Sequence, residues 1–155
     1  MDSNNMAINR LVWTPTYQFV SEVIQSRGLL QLIVSPFIKR DALLALVDQC
    51  PDTSHLQVIA RWEAAYILAG TTDIEIYEEL SERDIELYRH PDIHLKMLVF
   101  NKNQAFHTSG NITQKGLGLH PNSNIEVGAQ IRLNSRDWIE IQKLLDGAVR
   151  VDSEA

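Results

Sequence analysis

Apolar positions along the chain change period several times, and the changes outline the elements. From Thr16 to Arg27 they recur at three- and four-residue steps, with Tyr17, Val20, Val23 and Ile24 on one face and Gly28 as a stop, which predicts a helix. Leu29 to Val34 is a continuous apolar run closed by Ser35-Pro36, which predicts a buried strand. Lys39 to Gln49 returns to helical spacing and closes before Pro51. His55 to Ala60 predicts a second strand, and Trp62 to Ala69 a short helix ending at Gly70. Thr72 is placed as the N-cap of a helix over Asp73 to Glu82, whose first turn carries acids as the macrodipole favours. Ile85 to Tyr88 reads as a short strand. Such alternation points to an α/β fold.

The second half changes character. His94 to Phe100 and Gln104 to Ser109 predict two strands joined by a tight Asn101-Lys102-Asn103 turn, and Ile125 to Leu133 predicts another. Ser135 is placed as the cap of a last helix with a buried stripe of Trp138, Ile141, Leu145 and Val149. The tail from Asp152 is expected to fray. Residues 1–151 are therefore expected to form one domain and 152–155 a tail. A chain of 155 residues suits this. No internal repeat or low-complexity tract interrupts it.

Composition narrows the setting. The single cysteine, Cys50, cannot form an internal disulfide and is expected to pack at a helix end in a reducing compartment. The first ten residues lack the pattern of a signal peptide, and no apolar run approaches the roughly 20 residues of a spanning helix. A cytoplasmic, non-membrane protein is expected. The net charge of −6 is unevenly placed. Asp73 to Glu86 holds seven acids against Arg83, which reads as a solvated helix face. His90 to Arg136 holds Lys96, Lys102, Lys115, Arg132 and Arg136 against Asp92 and Glu126, a bias compatible with an anionic ligand.

Candidate chemistry falls in that basic half. Side chains alternate on a strand, so His94, Lys96, Leu98 and Phe100 share one face and Leu95, Met97 and Val99 the other. The hairpin return brings Ser109 and Asn111 back to the end where His94 and Lys96 emerge. A nucleophile, a cation, a hydroxyl and an amide then converge, the set a phosphoryl group needs. Taken alone, His94 and Lys96 also fit an exposed strand start. Glu126 shares a face with Gly128, Gln130 and Arg132, which also fits a plain solvent face. His90 and His94 have a metal-like spacing, but Pro91 breaks any helix between them and no acid or cysteine completes a set, so no metal site is expected. His55, His107 and His120 read as structural or surface residues.

His94-x-Lys96, then Asn101, then Thr108-Ser109-x-Asn111 resembles the HxK(x)4D(x)6GSxN signature of the phospholipase D superfamily, in its single-motif, nuclease-like form. "LLQLIVSPFIKRDALLALV", "LAGTTDIEIYEEL" and "NSNIEVGAQI" resemble further segments of that family, so the likeness runs from Leu29 to Ile131. Two positions depart from it: the family's Asp is Asn101 and its first Gly is Thr108.

The resemblance implies a mixed β-sheet flanked by helices on both faces and phosphodiester chemistry without metal or other cofactor. It implies His94 as nucleophile, through a phosphohistidine, Lys96 and Asn111 on the phosphate oxygens, and Ser109 supporting them as a substrate-binding residue. Glu126 would orient the histidine, and Arg61 would be a further substrate contact. The family uses two histidines and this chain has one motif, which implies a homodimer with the active site across its axis. The expected function is a nuclease on DNA ahead of RNA, in restriction or phage defence, with a separate specificity or helicase subunit as partner. The alternatives are an inactive nucleic-acid-binding or scaffold subunit that keeps the fold, and a lipid or small phosphodiester hydrolase.

Overall fold

One eight-stranded sheet runs through the molecule, in the order β1-β7-β6-β5-β2-β3-β4-β8. The computed structural model describes residues 9–27 and 29–153. The stop expected at Gly28, the extreme N-terminus and tail residues 154–155 lie outside them.

Edge strand β1 (Arg10–Trp13) leads into α1 (Thr16–Arg27), followed by β2 (Leu30–Val34), α2 (Arg40–Val47) and β3 (Gln57–Ala60). Short helices α3 (Ala64–Leu68) and α4 (Ile76–Glu82) precede β4 (Glu86–Arg89). The hairpin is β5 (Met97–Phe100) with β6 (Gln104–Thr108), followed by α5 (Gln114–Leu117), β7 (Val127–Arg132), α6 (Ser135–Asp146) and β8 (Val149–Arg150). β2, β3 and β4 pair in parallel, and every other pairing is antiparallel. The sheet is therefore mixed, and helices cover both faces.

The two faces have separate cores. Leu98, Phe100 and Phe106 pack with Val20 and Ile24 of α1, Leu43 and Leu46 of α2, and Ile76 and Leu80 of α4. Val99, Ala105, Leu32 and Val34 pack with Ile141 of α6, joined by the partly buried Trp138 and Leu145. Alternation along β5 is thus as expected, with Leu95 and Met97 on the face of Val99.

Several expectations need correction. The strand starts at Met97, so His94 to Lys96 form an extended lead-in. The α4 helix begins at Ile76 after Glu75, and buried Thr72 instead accepts a bond from the Ile38 N–H at 3.4 Å. Asn134, not Ser135, caps α6, in a reciprocal capping box with Asp137. Val149 is exposed and pairs with Arg89 in β8 rather than continuing the helical stripe. The acids of the α4 region are not merely solvated. Asp73 pairs with Lys39 at 2.6 Å, and Glu79 pairs with Arg40 at 2.6 Å and Arg83 at 2.8 Å. Strand β1 and helix α5 were not legible from the pattern.

Candidate active site at one end of the sheet

β2, β3, β6 and β1 end, and β5 and β7 begin, at the same edge of the sheet. Val34 pairs with Met97, Met97 with His107, Thr108 with Gly128, and Trp13 with Val127. The segments beyond these pairs, which carry Thr14, Ser35, Arg61, His94, Lys96, Ser109, Asn111 and Glu126, therefore lie together.

The Thr108 N–H donates to the Lys96 carbonyl at 3.1 Å, so the β5–β6 ladder continues one pair past Met97. His94 stands two residues before Lys96, in the lead-in to β5 at this end of the sheet. His94 is exposed and Lys96 half-buried. Neither side chain hydrogen-bonds within the described residues, which leaves both available to a ligand.

Ser109 and Glu126 meet directly. The Ser109 hydroxyl donates to the Glu126 carboxylate and accepts from the Val127 N–H at 3.1 Å. The Glu126 backbone is held in turn by Thr14, whose hydroxyl accepts from the Glu126 N–H at 2.6 Å. Glu126 is therefore bonded to Ser109 and not to His94, contrary to its expected orienting role. The plain solvent face does not hold either, because Gly128 and Gln130 are buried and a Cβ on Gly128 would sit 2.2 Å from the Phe106 ring.

The backbone beside Asn111 is held by Ser35. The buried Ser35 hydroxyl donates to the Phe37 carbonyl at 2.8 Å, accepts from the Ile112 N–H at 3.2 Å, and lies 3.4 Å from the Asn111 Oδ1. A Cβ on Gly110 would meet the Gly116 carbonyl at 2.3 Å, and one on Gly116 the Asn111 carbonyl at 2.2 Å. Two glycines thus let the Asn111 loop lie directly on α5. Ser35, Thr14 and Gly116 were missed as contributors. The signals were a Ser-Pro and a Thr-Pro at strand ends.

Arg61 is engaged inside the chain. Its Nε donates to the Pro91 carbonyl at 3.1 Å, and the guanidinium bonds the Tyr66 hydroxyl at 3.2 Å and lies 5.5 Å from that ring's centre. It fastens the loop leading to His94. Asn101 lies in the turn at the opposite end of β5, about 13 Å from Met97 at the usual strand rise. Thr108 is buried, and its hydroxyl accepts the Gly110 N–H at 3.1 Å. Burial, followed by the nearby Asp48 carboxylate, pushes the Cys50 thiol up to about 11, as suits packing rather than nucleophilic chemistry. No cluster able to hold a metal occurs among the described residues.

Nuc from Salmonella typhimurium, a phospholipase D family member, superposes on 94% of this chain and 98% of its own, with a TM-score of 0.66 at 16% identity. The chain has the phospholipase D fold. NucT from Helicobacter pylori matches this fold over 92% of the chain and 98% of its own, with a TM-score of 0.59 at 15% identity. TrmBL2, an archaeal chromatin protein with its own mode of DNA binding, matches over 95% of the chain but 55% of its own length, with a TM-score of 0.58 at 13% identity. No protein-family model and no curated protein matches the sequence. Among the described residues, no helix of this phospholipase D fold is long and apolar enough to cross a membrane.

Proposed function

We propose that the chain is a metal-independent phosphodiesterase acting on nucleic acid, DNA ahead of RNA, as a homodimer. One observation carries this reading: His94, Lys96, the Ser109–Glu126 pair and Asn111 come from separate segments to one end of the sheet. His94 is the nucleophile. Its ring nitrogen attacks phosphorus, the P–O bond to the leaving group breaks, and the partner copy's equivalent histidine gives that oxygen its proton. Lys96 and Asn111 hold the non-bridging oxygens as charge builds on them. Water then attacks the phosphohistidine, the P–N bond breaks, and the second histidine takes the water's proton. The pair alternates as acid and base. Ser109 and Glu126 position the loop, and Arg61 positions the approach to His94.

The match to Nuc over 98% of that protein's length supports a nuclease of the small single-motif kind. A restriction or phage-defence setting, with sequence specificity supplied by a separate subunit, follows from that reading. The inactive-scaffold alternative draws on Asn101 and Thr108, the two departures from the signature. Asn101 stands at the far end of the hairpin, and Thr108 is accommodated within the loop it replaces glycine in.

The test is cleavage of plasmid DNA, single-stranded DNA and RNA in excess EDTA, beside His94→Ala. Cleavage by the parent chain and not by the variant supports the reading. Equal cleavage, or none in either, contradicts it. Hydrolysis of a phospholipid diester alone transfers the chemistry to lipid.

A further inference from the structure

The two faces of the sheet are unequally covered. Helices α1, α2, α4 and α5 all contribute to the core on one face, and α3 buries no residue. The other face has α6, whose Ile141 packs with Leu32, Val34, Ile59 and Val99 over β2, β3 and β5. A helix is about 10 Å across, or about two strand spacings, whereas eight strands span about 38 Å. One helix therefore leaves part of this face open.

The open part is the β7–β1 side, and it is apolar. Ala105, which belongs to the same core as Ile141, stands opposite Ile131. Alternation puts Ile131, Ala129 and Val127 on that one face. Leu11 and Trp13 pair directly with Ala129 and Val127, so they share it. Val12, between them, turns to the opposite core. Leu11 and Trp13 are each 62% exposed. The helix beside this patch carries a matching residue. Ile139 stands two residues from Ile141, about 200° round α6, so it points away from its own sheet, and it is 56% exposed. Contiguous apolar surface of this kind marks a site of association.

We infer that this face packs on the same face of a second copy, with the outward side of each α6, Ile139 at its centre, set on Leu11 and Trp13 of the other. The face is self-complementary, since it offers both a helix and an open strip beside it, as a two-fold contact requires. Packed helices stand about 8–10 Å apart, so a second helix set beside α6 falls on the β6–β7–β1 side. The whole face measures about 38 Å by about 20 Å, close to the roughly 800 Å² per partner that a stable interface buries. A two-fold axis along the strands sets the Trp13–Val127 end of both sheets, where the candidate site lies, on the same side of the pair. The inference gives a face to the homodimer of the reading above, and it rests on that part of the reading.

The test is analytical ultracentrifugation of the full chain, which should be a dimer at micromolar concentration. Leu11→Glu with Trp13→Glu, and separately Ile139→Glu, should each raise the dimer Kd by about thirtyfold or more, with an unchanged circular dichroism spectrum. Should the β1 variant fail to fold, Ile139→Glu, on the outer side of its helix, decides alone. Leu68→Glu with Ile74→Glu, exposed apolar residues elsewhere, should leave Kd within about threefold. In a Cys50→Ser background, a mixture of Trp13→Cys and Ile139→Cys chains should form a disulfide-linked dimer on oxidation, whereas a mixture of Leu68→Cys and Ile139→Cys chains should not. A monomeric parent, a dimer that survives both sets of substitutions, equal weakening in the control, or no crosslink between positions 13 and 139 overturns the inference. A dimer that responds as stated but cleaves no nucleic acid counts against the active-site reading alone. Cleavage by a monomeric parent overturns the face and leaves the hydrolysis standing.

Discussion

The Ser109 hydroxyl bridges the Glu126 carboxylate and the Val127 N–H, so one side chain ties the end of β6 to the start of β7 beside His94. Ser109→Ala removes both bonds and leaves the Glu126 carboxylate without its partner. Stability should fall by about 1 kcal/mol, or roughly 2–4 °C in Tm. Cleavage should fall at least tenfold. Glu126→Gln keeps an acceptor for the hydroxyl and should leave Tm within about 1 °C. Thermal melts beside initial rates check the pair, and unchanged rates in Ser109→Ala would remove Ser109 from the site.

Ser35 is the buried counterpart on the other side of the site. Ser35→Ala strands the Ile112 N–H in the interior, which costs about 1–3 kcal/mol. It also frees the backbone beside Asn111, so activity should drop further than stability at a temperature where the variant is folded. Urea unfolding and activity at 20 °C separate the two effects. An active variant with parental rates would show that Asn111 does not depend on Ser35.

Asn101 offers the sharpest contrast. It lies in the turn beyond Phe100, at the end of β5 away from His94. Asn101→Asp, which places there the acid of the signature that the sequence resembles, should change cleavage by less than about twofold. A tenfold or greater gain would mean that the charge acts across the sheet.

Stability in acid should trace the Lys39–Asp73 pair. Burial pushes the Asp73 carboxyl up, but the Lys39 ammonium and the Arg40 N–H outweigh it and hold it below its ordinary 3.8. A depressed folded value contributes stability that is complete above about pH 4 and is lost as pH falls through the folded value. Asp73→Asn should therefore have a lower Tm at pH 7 and a smaller fall in Tm between pH 5 and pH 2.5. Parallel curves for the two proteins would contradict this.

Much of the fold was legible because its strongest elements obey one period each. The β5 alternation separated Leu98 and Phe100 from Val99, and the structure packs them in opposite cores. The errors cluster where side-chain bonds outside the local pattern decide. Thr72 reads as a cap, yet its hydroxyl is taken by the Ile38 N–H across the fold. Val149 matches a helical stripe, yet a turn at Gly147 sends it to pair with β4. The chain-distant partners of the site, Thr14 for Glu126 and Ser35 for Asn111, lie about 112 and 76 residues away in sequence and leave no local signal. The cations were legible as a count but not as a place, since β5 to β7 carry them to opposite ends.

The central claim is that His94 attacks phosphorus, and trapping the adduct tests it most directly. A radiolabelled oligonucleotide is mixed with the protein in excess EDTA and quenched in alkaline SDS, where a phosphohistidine survives. The account predicts a labelled protein band that acid removes, that disappears on chase with unlabelled substrate, and that is absent from His94→Ala. Steady cleavage with no such band, or an equal band in His94→Ala, would contradict it.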